Sequence, residues 1–216
     1  MSCDEAATRE GRPRVKICGI TSLEDALYAA ECGADALGLV FYRKSPRYVS
    51  PDLARRIIGA LPPMVTTFGL FVNHPPQEVL EIARFCGIDV LQLHGDELPE
   101  QCRFAPWRVV KALRLREQPC LQDLAEYRVS ALLLDAWHPD SYGGTGQSFD
   151  WHMAIPLARQ RPVILAGGLT PDNVAEAART VRPYGVDVSS GVESSPGRKD
   201  PRRVAEFIRN AKQRME

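Results

Sequence analysis

Two turns near the end of this 216-residue chain carry chemistry suited to phosphate. Arg161-Pro162-Val163-Ile164-Leu165-Ala166 reads as a strand running into Gly167-Gly168-Leu169, and Gly185-Val186-Asp187-Val188-Ser189 reads as another running into Ser190-Gly191. Glycines after a buried strand let the backbone approach a ligand closely with N–H groups turned outward, and serines add hydroxyls. Either turn alone is a weak signal. Paired in successive strand–helix units, they point to a phosphorylated small molecule, because phosphate in an eight-stranded α/β barrel is often held after strands seven and eight.

A second set of side chains could move protons. Cys18 ends the first strand-like run, two positions after Lys16, and Asp135 ends the sixth. A nearby ammonium favours thiolate, so Lys16 is expected to lower the Cys18 pKa from its reference of ~8.5. A thiolate and a carboxylic acid on opposite sides of one mouth make a base/acid pair. Strand alternation sets Lys16 and Cys18 opposite Val15 and Ile17, Gln92 and His94 opposite Leu91 and Leu93, and Asp187 and Ser189 opposite Val186 and Val188. The apolar faces suit a helix layer, which leaves the polar sets pointing inward, with Lys111 and Asp135 expected to join them. Barrel interiors are normally filled with branched apolar residues, so a polar lining marks an active site at the carboxy-terminal mouth. Cys32, Cys86, Cys102 and Cys120 read as inert packing.

The elements that must position these residues alternate along the chain. Strand-like runs fall at Val15–Cys18, Ala36–Phe41, Thr67–Val72, Val90–His94, Val109–Leu113, Ala131–Asp135, Val163–Ala166 and Gly185–Ser189. Between them, Leu23/Ala26/Leu27/Ala30, Val79/Ile82/Ala83/Cys86 and Val204/Phe207/Ile208/Ala211 have helical spacing. Ser50-Pro51, Thr170-Pro171 and Asp200-Pro201 each offer an N-cap followed by proline, and Thr21 with Glu24 could form a capping box. Eight βα units predict a single-domain α/β fold, a (β/α)8 TIM barrel over 14–216, after a flexible polar leader at 1–13. A doubly wound open sheet would carry a glycine-rich fingerprint after its first strand, where this chain reads Cys18-Gly19-Ile20-Thr21.

Composition narrows the function classes. Lys+Arg and Asp+Glu both total 27, so no bulk field recruits nucleic acid or a membrane. No apolar run approaches the ~20 residues of a membrane helix, and the acidic start, Met1-Ser2-Cys3-Asp4-Glu5, lacks a signal-peptide core. The six cysteines form no CxxC pair and read as reduced thiols of a cytoplasmic protein, and histidines 74, 94, 138 and 152 lack metal-ligand spacing.

At this point the residues resemble a known family, phosphoribosylanthranilate isomerase of tryptophan biosynthesis. The resemblance spans 14–212 and rests on Val15 through Thr21, Phe41 through Val49, Leu91-Gln92-Leu93-His94-Gly95, Gly143-Gly144-Thr145-Gly146 with Phe149-Asp150-Trp151, Ala166-Gly167-Gly168-Leu169, and Val186 through Gly197. It implies a cofactor-free Amadori rearrangement of N-(5-phosphoribosyl)anthranilate to the 1-deoxyribulose 5-phosphate aminoketose. Asp135 then resembles the general acid at the ribose ring oxygen, and Cys18 the general base at C2′. Phosphate would lie against Gly167, Gly168, Ser189, Ser190 and Gly191. Arg47 resembles the residue that pairs with the anthranilate carboxylate, a task suited to a bidentate guanidinium. Lys16, His94 and Asp187 would line the pocket. The implied partner is this small phosphorylated substrate, with the protein a monomer or homodimer. Two rivals remain. The histidine-pathway sugar isomerase uses two aspartates and shows two-fold internal repetition, whereas the first-strand residue here is Cys18. A non-catalytic phosphate-sensing barrel would need neither Cys18 nor Asp135.

Overall fold

Eight short strands rich in Val, Leu and Ile wind into a closed parallel barrel in a computed structural model that describes residues 12–115, 124–136 and 150–213. They are β1 (Arg14–Cys18), β2 (Ala36–Val40), β3 (Thr66–Phe71), β4 (Val90–Leu93), β5 (Arg108–Leu115), β6 (Ala131–Ala136), β7 (Val163–Leu165) and β8 (Gly185–Val188). Each pairs with the next, and β8 returns to β1 with Lys16 opposite Asp187 and Ile17 opposite Val188. The expected (β/α)8 barrel is therefore the fold. Residues 1–11 of the expected leader lie outside the described residues, as do Cys120, His138 and the Gly143–Gly146 and Phe149 part of the family pattern.

Alternation along the strands divides the core into two layers. Ala36, Phe68, Val90, Val110, Ala131, Leu133 and Ile164 fill the barrel interior. The intervening residues, among them Val15, Ile17, Leu91, Leu132, Leu134 and Val186, pack against the helices. The described helices are α1 (Leu23–Glu31), α2 (Pro51–Ala60), α3 (Pro76–Cys86), α4 (Ile155–Gln160), α5 (Val174–Val181) and α6 (Pro201–Ala211). In α6 the buried stripe is Val204, Phe207, Ile208 and Ala211, as the spacing predicts. Fully burying a Phe or Ile contributes about 1.5–3 kcal/mol, so this face holds the last helix against the first strand.

Three local expectations need correction. In α1 the buried face is Ala26 and Ala29, while Leu23 and Leu27 are exposed, because small side chains let this helix sit close to the strands. Its N-cap is Ser22, whose hydroxyl accepts from Asp25 N at 3.1 Å, whereas the Thr21 hydroxyl donates to the Gly197 carbonyl. Helix α5 starts at Val174 rather than after Thr170-Pro171, since the Asn173 side chain folds back to accept from Thr170 N at 2.8 Å and to donate to Gly168 O at 3.0 Å. The fourth connection is also irregular. Between β4 and β5 there is only a one-turn helix, Pro99–Cys102, and no full α-helix.

Candidate active site

The loops that follow the strands converge on one pocket whose lining includes Cys18, Arg47, His94, Asp135, Asp187 and the two predicted anion turns. At one end, β7 runs into Gly167 and Gly168, both left-handed with φ of 77° and 65°. Consecutive left-handed residues turn successive N–H groups to one side, a concavity that suits anions, and only glycine adopts that backbone without strain. Beside them, β8 runs into Ser189, and Ser190–Val192 makes a single helical turn. The Ser189 hydroxyl is buried without a partner among the described residues, in a residue that lines the same pocket.

Cys18 projects inward from the last position of β1. It shares the space over Gly38 with Lys16: a Cβ added at Gly38 would lie 2.8 Å from the Cys18 sulfur and 3.0 Å from the Lys16 nitrogen. Lys16 does not line the mouth. It lies below it, at the edge of a second cavity at the amino-terminal end of the strands, and donates to Asp187 Oδ1 at 2.9 Å with both side chains buried. The expected lowering of the Cys18 pKa is overturned. Burial is the largest influence and pushes the thiol up, Lys16 pulls it back only in part, and Asp187 adds to the rise, so the net shift is upward. By contrast, the Cys86 and Cys102 thiols, pushed up to about 11 by burial, sit outside the pocket as packing groups.

Asp135 enters from β6, where its Oδ1 accepts from Ala136 N at 2.8 Å. Its Oδ2 lies 3.3 Å from His94 Nε2, close but not aligned as a hydrogen bond. Gln92 holds the other side of the ring, with its amide nitrogen 3.0 Å from His94 Nδ1. When the amide donates, the imidazole carries its proton on Nε2, facing Asp135. Lys111, expected inside, points the other way. Val110 and Ala112 take the interior positions of β5, which turns Lys111 into the outer layer, where it donates to Glu97 Oε2 and to Gly95 O, both at 2.7 Å. Glu97 in turn accepts from the backbone of Asn73 at 2.8 Å and of Gly95 at 2.9 Å, so this buried pair braces two mouth loops rather than facing a substrate.

Arg47 comes from the loop after β2, which is held by a bridge between Val40 and Tyr48. Its guanidinium makes a bidentate pair with Glu193, Nε to Oε1 at 2.8 Å and Nη2 to Oε2 at 2.7 Å. Beside it, Val40, Leu70 and Val72 with Tyr42 form an apolar wall next to Cys18. Glu193, Lys199 and the apolar wall were not singled out from sequence. A buried-type acid only six residues before a lysine, in the segment after the serine turn, was the available signal for the first two. Among the described residues no group of three or more His, Cys, Asp or Glu could hold a metal, and no helix is long and apolar enough to cross a membrane.

A closed parallel barrel with a thiol and a carboxylate opening onto one mouth pocket places the protein in the class of (β/α)8-barrel enzymes. The family is more specific than that class. The N-(5′-phosphoribosyl)anthranilate isomerase family model matches residues 15–210, and the chain belongs to that family. It is 59% identical over 203 residues to N-(5′-phosphoribosyl)anthranilate isomerase of Trichlorobacter lovleyi, covering 94% of this chain and 99% of that protein. The crystal structure of phosphoribosyl anthranilate isomerase from Thermotoga maritima matches with a TM-score of 0.86 at 47% identity, over 93% of this chain and 98% of that one. A phosphoribosyl anthranilate isomerase solved in complex with reduced 1-(o-carboxyphenylamino)-1-deoxyribulose 5-phosphate matches with a TM-score of 0.83 at 46% identity, over the same shares of the two chains.

Proposed function

We propose that this chain converts N-(5-phospho-β-D-ribosyl)anthranilate to 1-(2-carboxyphenylamino)-1-deoxy-D-ribulose 5-phosphate, an Amadori rearrangement in tryptophan biosynthesis, with Asp135 as general acid and Cys18 as general base. The observation that carries the reading is the opening of both side chains onto one pocket bounded by the two anion turns. The substrate phosphate rests against Gly167, Gly168, Ser189, Ser190 and Gly191, the aromatic ring lies along Val40, Leu70 and Val72, and its carboxylate meets Arg47. Pinned at both ends, the ribose is held in reach of the two catalysts, which replaces a costly bimolecular encounter by a fixed geometry.

Asp135 gives its proton to the furanose ring oxygen as the bond from that oxygen to C1′ breaks, and the anthranilate nitrogen supplies the electron pair that forms the Schiff base. The Cys18 thiolate then removes the C2′ proton, and those electrons neutralise the iminium to give an enolamine. The Cys18 thiol then returns a proton to C1′ while the 2′-hydroxyl proton passes to the Asp135 carboxylate, which completes the ketone and restores both catalysts. The net change is an isomerisation, so no oxidant or leaving group is required. Cys18 acts without a covalent bond to substrate, and the thiol must stay reduced, a requirement that a reducing cytoplasm meets.

The test is turnover followed by loss of anthranilate fluorescence in Cys18→Ala and Asp135→Asn. Each variant should lose roughly 10²–10⁴-fold in kcat. Binding of the reduced product analogue should largely persist in both. Near-normal turnover by Cys18→Ala would remove the thiol from the chemistry.

A further inference from the structure

Arg47 meets the pocket with one edge of its guanidinium already committed. The Nε and Nη2 side is taken by both oxygens of Glu193, leaving the Nη1 edge for the cavity that Arg47 lines. Its stem is fixed as well: Gly19 has φ of 74°, and a Cβ there would lie 2.5 Å from Arg47 Cδ, so the side chain lies directly over the backbone that follows Cys18. Glu193 is equally constrained. The chain beyond β8 forms a small antiparallel ribbon of β9 (Glu193–Ser195) and β10 (Arg198–Lys199), in which Lys199 pairs with Glu193. Lys199 donates to Glu193 Oε1 at 2.8 Å and to Ser189 O at 3.2 Å, with 2% of its side chain and 5% of that of Glu193 exposed. Two cations share one carboxylate, so the buried triad keeps one net positive charge.

We propose that Glu193, held by Lys199, is a positioning residue for Arg47: it fixes the guanidinium so that the free edge presents a planar fork to a carboxylate on the aromatic end of the ligand. The proposal rests on the reading above that Arg47 receives the substrate carboxylate. A lone arginine facing a pocket rotates through many conformers, and ordering it on binding opposes affinity. Here that ordering is built into the fold, and Lys199 keeps Glu193 from cancelling the charge that attracts the ligand. The same lysine reaches the serine turn, so the carboxylate and phosphate ends of the site are set by one ribbon.

Positioning and charge make opposite forecasts, which gives the experiment its edge. The probes are reduced 1-(o-carboxyphenylamino)-1-deoxyribulose 5-phosphate and the same compound without its ring carboxylate, each titrated calorimetrically against the full chain. If Glu193 acted by charge alone, Glu193→Gln would remove a nearby anion and strengthen the preference for the carboxylated probe. Positioning instead requires that preference to fall by roughly tenfold or more, as expected when a charge-assisted bond is lost, with the other probe bound as before. KM for the substrate should rise in step, with kcat within about threefold, since the proton transfers are untouched. Glu193→Asp keeps the charge and shortens the reach. It should lose the preference too, and serves where the glutamine variant does not fold. An unchanged or increased preference, or equal weakening of both probes, overturns the proposal. Arg47→Ala separates the two layers of the argument. If it erases the preference while the Glu193 variants keep it, only the positioning role fails; if it leaves the preference intact, the assignment of Arg47 itself fails.

Discussion

At Cys18, opposing influences of similar kind decide the protonation state. Burial favours the neutral thiol, the Lys16 ammonium favours thiolate, and Asp187, bonded to that same lysine, offsets part of its effect. The ultraviolet absorbance of thiolate, compared between the wild type and Cys18→Ser, should therefore show a difference step above the ordinary thiol range. Thiolate fraction, and with it the base form, then rises with pH through that region. A step below that range would mean that the ammonium dominates after all. Alternation in β1, β4 and β8 made Cys18, His94 and Asp187 legible as inward residues, because apolar and polar positions there take turns. Lys111 was not legible in the same way. Its neighbours Val109, Val110, Ala112 and Leu113 are all apolar, so the strand has no phase to read, and its partner Glu97 lies in a loop that no pattern ties to it. Glu193 escaped for a related reason, since a fork pair 146 residues long in sequence leaves no local trace.

Among the elements, the loops after β3 and β4 are joined to strand β5 through one carboxylate. Glu97 gathers the backbone N–H groups of Asn73 and Gly95 and the Lys111 ammonium, with Glu97 and Lys111 both buried. Removing the cation leaves a buried charge unpaired, so Lys111→Met should lower unfolding free energy by about 3–5 kcal/mol in chemical denaturation. Turnover at a temperature where the variant is folded should stay within a few-fold of wild type. A collapse in kcat with stability intact would instead return Lys111 to the site. Element identity was readable here because βα punctuation is strong: Ser50 and Asp200 cap α2 and α6 ahead of their prolines, as expected. Boundaries were less so. Thr21 and Ser22 are both competent caps, and the choice was made by a distant carbonyl at Gly197 that occupies Thr21.

On the scale of the whole molecule, Asp35 ties the start of the barrel to its last helix. It accepts from Val15 N at 2.8 Å and from Arg14 at 3.2 Å, and pairs with Lys212 at 2.8 Å. Burial pushes its carboxyl up, but Lys212, the Val15 N–H and Arg14 together hold it below the ordinary 3.8. A depressed folded value contributes stability that is present above the unfolded value and is lost as pH falls through the folded one. Asp35→Asn should thus show a lower urea midpoint near neutral pH, and the gap should close as pH falls below about 3.8. A gap that persists in strong acid would assign the effect to packing instead. The closure of β8 on β1 has one more consequence, and it concerns time. Lys16 finds Asp187 171 residues further along the chain, so all eight strands must be synthesised before the first can meet its last neighbour. Until then Lys16 has no counter-ion and β1 keeps an open edge, and long-range parallel pairing of this kind is slow to form. Cys18, at the end of β1, is therefore synthesised long before the barrel that encloses it can close, and the pocket forms only with that last pairing.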